Sequence, residues 1–289
     1  AIDFKSFTKN LRSLVHHYEN KGYPFASVSL KNIQWKQKNQ LEASLFLDKG
    51  PLYRIDTLVI VNPDRVPKSY IRRYLGINKG DLYNEKKIRQ IPDKIDQTAF
   101  LTSIRPVQKE FTKDHVHLFT YIKTSKANRF NGMIGILPPE DKNNKTRVVG
   151  EVNLHLVNSF NNGESIDLKW NKPGALSQQL FTELDFPYLL DSPFGVNGSF
   201  KLYRKDSSYL NIEGELSGKY YFSGQNNLRF FARSAASRLA SQNTQQENGT
   251  FSNTQTLSGG VGYYYTALDY PINPSKGLKT EVSFSSGQK

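Results

Sequence analysis

Hydrophobic and polar positions follow two different periods in this chain, and the change falls near residue 127. In residues 3–21, Phe4, Phe7, Leu11, Leu14, Val15 and Tyr18 recur at three- and four-residue spacing, which lines one face of a helix. Asp3 suits its start and Gly22 its end. Strands are predicted over 25–30 and 41–47. In the second, Leu41, Ala43, Leu45 and Leu47 alternate with Glu42, Ser44 and Phe46 before Lys49-Gly50-Pro51 stops the run. A strand over 54–61 follows. Pro67 then opens a short helix with Ile71, Tyr74 and Leu75 on one face, closed by Gly76. Asn84 caps a second helix carrying Ile88, Ile91, Ile95 and Phe100. Pro92 kinks or divides it, because proline lacks a backbone donor. Strands over about 103–112 and 115–123 complete the order strand, helix, helix, strand, strand. Residues 1–51 repeat the second half of that order, so the pattern reads as one complete α+β module and the tail of a preceding one.

From residue 128 only the two-residue period remains. Val148, Gly150, Val152, Leu154 and Leu156 form one row, and Leu210, Ile212, Gly214, Leu216, Gly218, Tyr220 and Phe222 another. Between them stand Glu151, Asn153, His155, Glu213, Glu215, Ser217 and Lys219. Nine strands are predicted, at about 129–137, 147–158, 164–172, 178–188, 194–204, 209–222, 227–238, 255–267 and 277–286. Strands in soluble domains have a mode of about five or six residues, whereas about ten tilted residues cross a hydrocarbon core. Long strands with one apolar and one charged face are the pattern of a membrane barrel. A soluble sandwich also alternates, but its strands are shorter and do not carry charge at so many centres. The connections at 138–146 and 239–254 are long and polar; those at 160–163, 189–193 and 223–226 are short. Long outer loops and short periplasmic turns alternate in this way when the first strand runs outward. An odd strand count leaves an unpaired edge, which is costly in lipid, so further strands are expected beyond residue 289. Leu154 and Leu216 are assigned to lipid, Asn153 and Ser217 to the lumen.

Charge sharpens the division. Residues 1–127 hold 23 Lys and Arg against 12 Asp and Glu, and the remainder hold 16 against 14. The basic residues are scattered singly with no nucleic-acid signature, so a solvated basic surface is the simpler reading and no nucleic-acid partner is expected. The chain has no Cys, which excludes a disulfide scaffold and a thiolate metal site. No apolar run approaches 18 residues, which excludes a transmembrane helix. The one Met is Met133, so the numbering does not begin at a translation start, and no signal peptide is visible.

Several segments carry a family resemblance. These are Tyr18-Glu19-Asn20-Lys21-Gly22-Tyr23-Pro24-Phe25-Ala26, Leu47-Asp48-Lys49-Gly50-Pro51-Leu52-Tyr53-Arg54-Ile55, Asn84-Glu85-Lys86-Lys87-Ile88, and Leu268-Asp269-Tyr270-Pro271-Ile272-Asn273-Pro274-Ser275-Lys276-Gly277. In this order they resemble the BamA/TamA superfamily of outer-membrane barrel assembly proteins, whose polypeptide-transport-associated (POTRA) modules precede a sixteen-strand barrel. The resemblance implies a fold of α+β POTRA modules (β-α-α-β-β) followed by an antiparallel transmembrane β-barrel, of which this chain holds about the first nine strands. The implied domains are 1–51, the C-terminal part of one POTRA module; 52–127, a complete module next to the barrel; and 128–289, the N-terminal half of the barrel. More modules are expected upstream, and the family's Arg-Gly-Phe loop motif downstream of residue 289.

The function implied is assembly: unfolded client chains are received in the periplasm by β-augmentation, and β-barrel proteins are inserted into the outer membrane of a Gram-negative cell. The implied client-binding edge carries Ile104, Val107 and Phe111. The implied barrel seam strand carries Phe130, Gly132, Met133, Ile134, Gly135 and Ile136. The family turn motif falls on Asp269, Pro271, Asn273, Pro274 and Gly277. Implied partners are unfolded outer-membrane protein clients, outer-membrane lipid, and periplasmic or lipoprotein accessory subunits. The rival readings are a two-partner-type protein translocator and a fusion of POTRA and barrel to an upstream lipase or phosphatase domain.

No catalytic signature (HExxH, GxSxG, P-loop or GxGxxG) is present, and the chain reads as no enzyme, with no cofactor and no metal. His115 and His117 share a strand face but lack a third ligand in the sequence. The polar-face carboxylates Glu151, Glu183, Glu213 and Glu215 could in principle form an acid/base pair; ordinary water-facing residues are the simpler reading.

Overall fold

The computed structural model describes residues 4–37, 40–62, 65–138, 146–174, 177–205, 209–239, 253–268 and 274–289. The elements in chain order are α1 (Phe4–Glu19), β1 (Ser27–Gln37), β2 (Gln40–Asp48), β3 (Arg54–Val61), α2 (Lys68–Leu75), α3 (Glu85–Arg89), α4 (Ile91–Asp96), β4 (Leu101–Phe111) and β5 (His115–Thr124). Nine further strands follow: β6 (Arg129–Leu137), β7 (Arg147–Val157), β8 (Ser165–Lys172), β9 (Gln178–Phe186), β10 (Phe194–Lys205), β11 (Tyr209–Ser223), β12 (Asn226–Leu239), β13 (Thr254–Leu268) and β14 (Gly277–Gln288). Contacts divide the chain into two compact units. One comprises residues 1–63, 77–96 and 101–123, the other 64–76, 97–100 and 124–289.

In the first unit β3, β5 and β4 form a three-stranded sheet in that order, with β3 and β5 parallel. The central strand supplies the core: Val116, Leu118, Thr120 and Ile122 are fully buried. A bulge between Ile55 and Thr57 resets the alternation of β3, so that Ile55, Leu58 and Ile60 all face inward. The helical segment after Asn84 divides where proline dictates. The Asn84 side chain accepts from the Lys87 N–H at 2.9 Å, α3 ends at Arg89, and Ile91-Pro92 begins α4. Ile88, Ile91 and Ile95 are each at most 1% exposed, as their spacing predicts.

α1 forms where the periodicity places it, yet none of its residues is buried, and Phe4 is 79% exposed. Among the described residues β1 and β2 pair only with each other, and Trp35, Leu41 and Leu45 also face outward. Helical spacing selects an apolar face; it does not supply the surface that covers it.

In the second unit β6 to β14 form a single antiparallel meander, each strand bonded to its sequence neighbours. The register keeps the two faces separate across the whole sheet. The row Asn153, Lys169, Phe181, Lys201 and Glu213 lies on one face, and Leu154, Leu168, Thr182, Phe200 and Gly214 on the other. A slip of one residue would exchange the faces, so the pattern fixes the register. Glu215 on the polar face, 6% exposed by its side chain, is held by Arg229 at 2.8 Å and Arg233 at 2.7 Å. Ser217 departs from its assignment as a water-facing residue. It lies on the polar face but is 2% exposed, opposite Phe231, and its hydroxyl has no partner among the described residues.

The same unit holds α2 and residues 97–100. α2 starts after Pro67 and ends on Gly76, whose φ of 64° is the left-handed conformation glycine adopts without strain. A Cβ there would also stand 3.1 Å from the Ser223 Cβ. The Gly224 N–H donates to the Tyr74 carbonyl at 2.7 Å, and Arg73 pairs with Asp191 at 3.1 Å. The helix is thereby fastened to two of the short connections of the sheet.

The facing predicts that Leu216→Lys, at the centre of β11, blocks membrane insertion, at a cost of about 2–4 kcal/mol for lysine at the bilayer midplane. Asn153→Lys on the polar face should insert normally. Membrane fractionation and heat-modifiable gel mobility of the two variants check this.

Candidate functional site

Three of the resemblance-bearing segments meet in the first unit. The Asn20 side chain accepts from the Lys86 N–H at 2.8 Å, and Asn84 donates to the Asn20 carbonyl at 2.9 Å. The Tyr53 N–H donates to the Gly22 carbonyl at 2.7 Å. Phe25 and Tyr53 both pack on Phe111, with ring centroids 4.8 and 5.2 Å away. The segments are therefore one structural joint, with Phe111 at its centre.

β4 is an edge strand. Its burial alternates, so Ile104 is on the exposed face while Val107 and Phe111 belong to the half-buried one. The three predicted contact residues do not share a face, and Phe111 is engaged in the aromatic joint. Part of the edge is already closed by the strand's own surroundings. The Ser103 N–H donates to Asp96 Oδ1 at 2.7 Å, and the Ser103 hydroxyl donates to the Arg105 carbonyl at 3.2 Å. Pro106 has no N–H to offer, which is a common device for blunting an edge. From Val107 onward no such side-chain closure is present among the described residues. Nothing in the sequence marked Asp96 for this role, because it lies seven residues from its partner and in another element.

An ionic cluster anchors that stretch. Glu85 accepts from Lys109 at 2.6 Å, from Arg89 at 2.6 Å and from the Tyr83 hydroxyl. Burial alone would raise the Glu85 carboxyl; the hydrogen bonds from Lys109, Tyr83 and Arg89 outweigh it and hold the pKa at about 2. Burial also pushes the Tyr83 phenol well above its ordinary range, and Glu85 adds to the effect.

β6 terminates the nine-stranded sheet and pairs only with β7 among the described residues. Phe130, Ile134 and Ile136 lie on the apolar face, and each is at least 70% exposed. Gly132 shares that face, whereas Met133 and Gly135 face the polar side, opposite Glu151 and Val149. Two glycines in nine residues leave gaps in the side-chain rows and weaken the strand. Of the predicted turn motif, Asp269, Pro271 and Asn273 lie outside the described residues. Gly277 is described, pairs with Leu268 and has a φ of 126°, so it can only be glycine without strain. The Leu268 carbonyl accepts from the Gln97 side chain.

The polar face carries a cavity of about 470 Å³, lined by Tyr70, Tyr74, Tyr188, Tyr221, Lys219 and Arg229 among others. Its charged groups are paired. Lys219 meets Asp185 at 2.6 Å, His155 meets Asp167 at 2.8 Å, and Asn197 donates to Glu183 at 2.8 Å. Glu213 lies 3.4 Å from Lys201, and Glu151 accepts from Asn153 at 2.5 Å. The four polar-face carboxylates are thus engaged by cations or amides and form no acid/base pair with one another. His115 pairs with Asp114 and His117 lies 3.5 Å from Asp56. Among the described residues no group of three or more His, Asp or Glu is arranged to hold a metal.

A small α+β unit and a nine-stranded antiparallel sheet with opposed apolar and polar faces define the class: an α+β module followed by a portion of a β-barrel. Comparison with solved structures agrees. BamA from Haemophilus ducreyi lacking POTRA domains 1–3 is similar with a TM-score of 0.60 and 12% identity, over 100% of this chain and 58% of that one. CdiB from Acinetobacter baumannii gives 0.53 at 12% identity, over 99% of this chain and 54% of that one. CdiB from Escherichia coli gives 0.50 at 12% identity with the same coverage. This chain spans a little over half the length of those structures. At such identity the likeness is one of fold: the chain has the fold of these barrels, and its nine-stranded sheet corresponds to a portion of one. No protein-family model and no curated protein matches the sequence.

The Glu85 cluster sets a pH dependence for the first unit. The folded carboxyl titrates at about 2 against 4.5 for the free group, so its contribution is complete above pH 4.5 and disappears as pH falls toward 2. It is worth roughly 3 kcal/mol. Glu85→Gln should lower the hydrogen-exchange protection of β5 at neutral pH by that order and remove most of the acid dependence. Exchange of the Val116–Ile122 amides at pH 7 and pH 3 in both proteins measures this.

Proposed function

We propose that this chain belongs to an outer-membrane protein assembly factor of the BamA/TamA type. In this reading residues 52–127 form the POTRA module next to the barrel, residues 1–51 the end of the preceding module, and residues 128–289 the N-terminal half of the barrel. The modules lie in the periplasm and the barrel in the outer membrane of a Gram-negative cell. The observation that carries the proposal is the combination in one chain of a small α+β unit whose margin strand β4 has no side-chain cap from Val107 onward among the described residues and a nine-stranded antiparallel sheet with opposed faces, a combination that shares its fold with BamA. An unfolded client is a chain of unsatisfied backbone donors and acceptors. An open edge satisfies them without regard to side-chain sequence, which suits a protein serving many clients. Such work makes and breaks no covalent bond and needs no catalytic residue, cofactor or metal. The expected partners are unfolded outer-membrane clients, membrane lipid and accessory subunits, with no nucleic acid.

A second reading, a translocator for one partner protein, is favoured by a specific observation. The fold likeness to CdiB is only slightly weaker than that to BamA, and the polar face carries paired charges such as Glu215 with Arg229 and Arg233, a surface suited to a passing chain.

Controlled depletion of the protein separates the two. The assembly reading expects the membrane levels of many unrelated barrel proteins to fall severalfold within a few generations. Unchanged levels of all of them, with loss of a single secreted protein, would establish the translocator instead. Quantitative proteomics of the outer-membrane and culture fractions reads both outcomes.

A further inference from the structure

The short connections after β7 and β9 lie at the same end of the meander, because successive antiparallel strands return to it. Both carry apolar side chains where turn chemistry calls for polar ones. Phe160, between β7 and β8, is 60% exposed. Between β9 and β10, Leu189 is 37% exposed and Leu190 completely so. The second connection is also costly in backbone terms. Tyr188, Leu190 and Asp191 have φ of 52°, 52° and 55°, a conformation rare for residues other than glycine, asparagine and aspartate.

Neither tip is loose. Glu164, fully buried, accepts from the Phe160 N–H at 2.5 Å and the Asn162 N–H at 2.9 Å. The Tyr188 hydroxyl donates to the Gly224 carbonyl at 2.6 Å, Asp191 pairs with Arg73 at 3.1 Å, and the Ser192 N–H and hydroxyl both donate to the Leu189 carbonyl. The fold therefore holds Leu189 and Leu190 outward by fixing the residues on either side of them.

What they face follows from the strands they join. β10 opens with Phe194, on the apolar face and 58% exposed. Its ring contacts Tyr220 at 5.4 Å, Tyr220 contacts Phe222 at 5.3 Å, and Phe222 contacts Tyr263 at 6.3 Å. These four rings cross β10, β11 and β13 near the same end of the sheet, as a belt of aromatic side chains does at a membrane–water interface. The connection at 187–193 continues the apolar face directly beyond that belt.

We infer that Leu189 and Leu190 form an apolar tip that inserts into the headgroup region of the near leaflet, so that this short connection is lipid-anchored rather than free in the periplasm. The inference rests on the membrane-barrel reading of β6–β14. The occupant is lipid because the tip is continuous with the apolar face and its aromatic belt, and amphipathic tips at that level gain by partial immersion.

Residues 1–289 contain no cysteine, and the test uses a background in which any cysteine elsewhere in the protein is replaced by serine. An environment-sensitive fluorophore is placed by single substitutions Leu190→Cys, Phe200→Cys and Lys201→Cys in the intact protein in bilayers containing lipids with shallow or deep quenchers. Phe200 and Lys201 report the apolar and polar faces at mid-strand. The inference expects the Leu190 probe to be blue-shifted, protected from aqueous iodide and quenched at least twofold more by shallow than by deep quenchers. A Leu190 probe open to iodide and insensitive to lipid, beside a lipid-quenched Phe200 probe, overturns the inference and leaves the barrel reading intact. A Leu190 probe shielded from iodide but not quenched by lipid also overturns it, and points to a protein surface instead. Identical behaviour at Phe200 and Lys201 overturns the barrel reading and the inference with it.

Discussion

Backbone hydrogen bonding is the constraint on which the rest of this structure depends. Every residue but proline carries one donor and one acceptor, and a strand points them sideways, half toward each neighbour. The nine-stranded meander satisfies these groups between neighbours and transfers the whole problem to its two ends, β6 and β14. The three-stranded sheet does the same and leaves β4 at its margin. In the proposed setting an unmet edge is expensive in lipid and tolerable in water. The same groups that threaten aggregation are thus the ones that can receive another chain.

How each edge is managed differs, and the difference is chemical. β4 is closed at its beginning by Asp96, the Ser103 hydroxyl and Pro106, and has no such closure toward Phe111 among the described residues. Lys109, in that stretch, is held by Glu85, so the backbone there is presented in a fixed geometry. β6 has no comparable side-chain caps in its hydrogen bonds among the described residues, and two glycines reduce its own cohesion.

Between the strands, the polar face of the meander is organised as a connected set of charges. Glu215 is nearly removed from water and is held by two arginines from β12, while Glu213 bridges toward Lys201 on β10. Each carboxylate would be costly to bury alone, and its cations offset that cost. The two faces of one sheet therefore use opposite chemistry, and only the period of two in the sequence separates them.

That period explains what the sequence by itself determined. Alternation over ten or more residues specifies strand, facing and register at once, since a slip of one residue inverts both faces; all nine strands of the meander lie where the pattern places them. Local chemistry likewise set the end of α2 at Gly76 and the break before Pro92. Other features needed the tertiary structure. The cap from Asp96 to Ser103, the engagement of Phe111 with Phe25 and Tyr53, the burial of Ser217 opposite Phe231 and the clamp around Leu190 all join residues far apart in sequence or on different strands. Period identifies which way a side chain points. It carries no information on what stands opposite, and that depends on how distant segments are brought together.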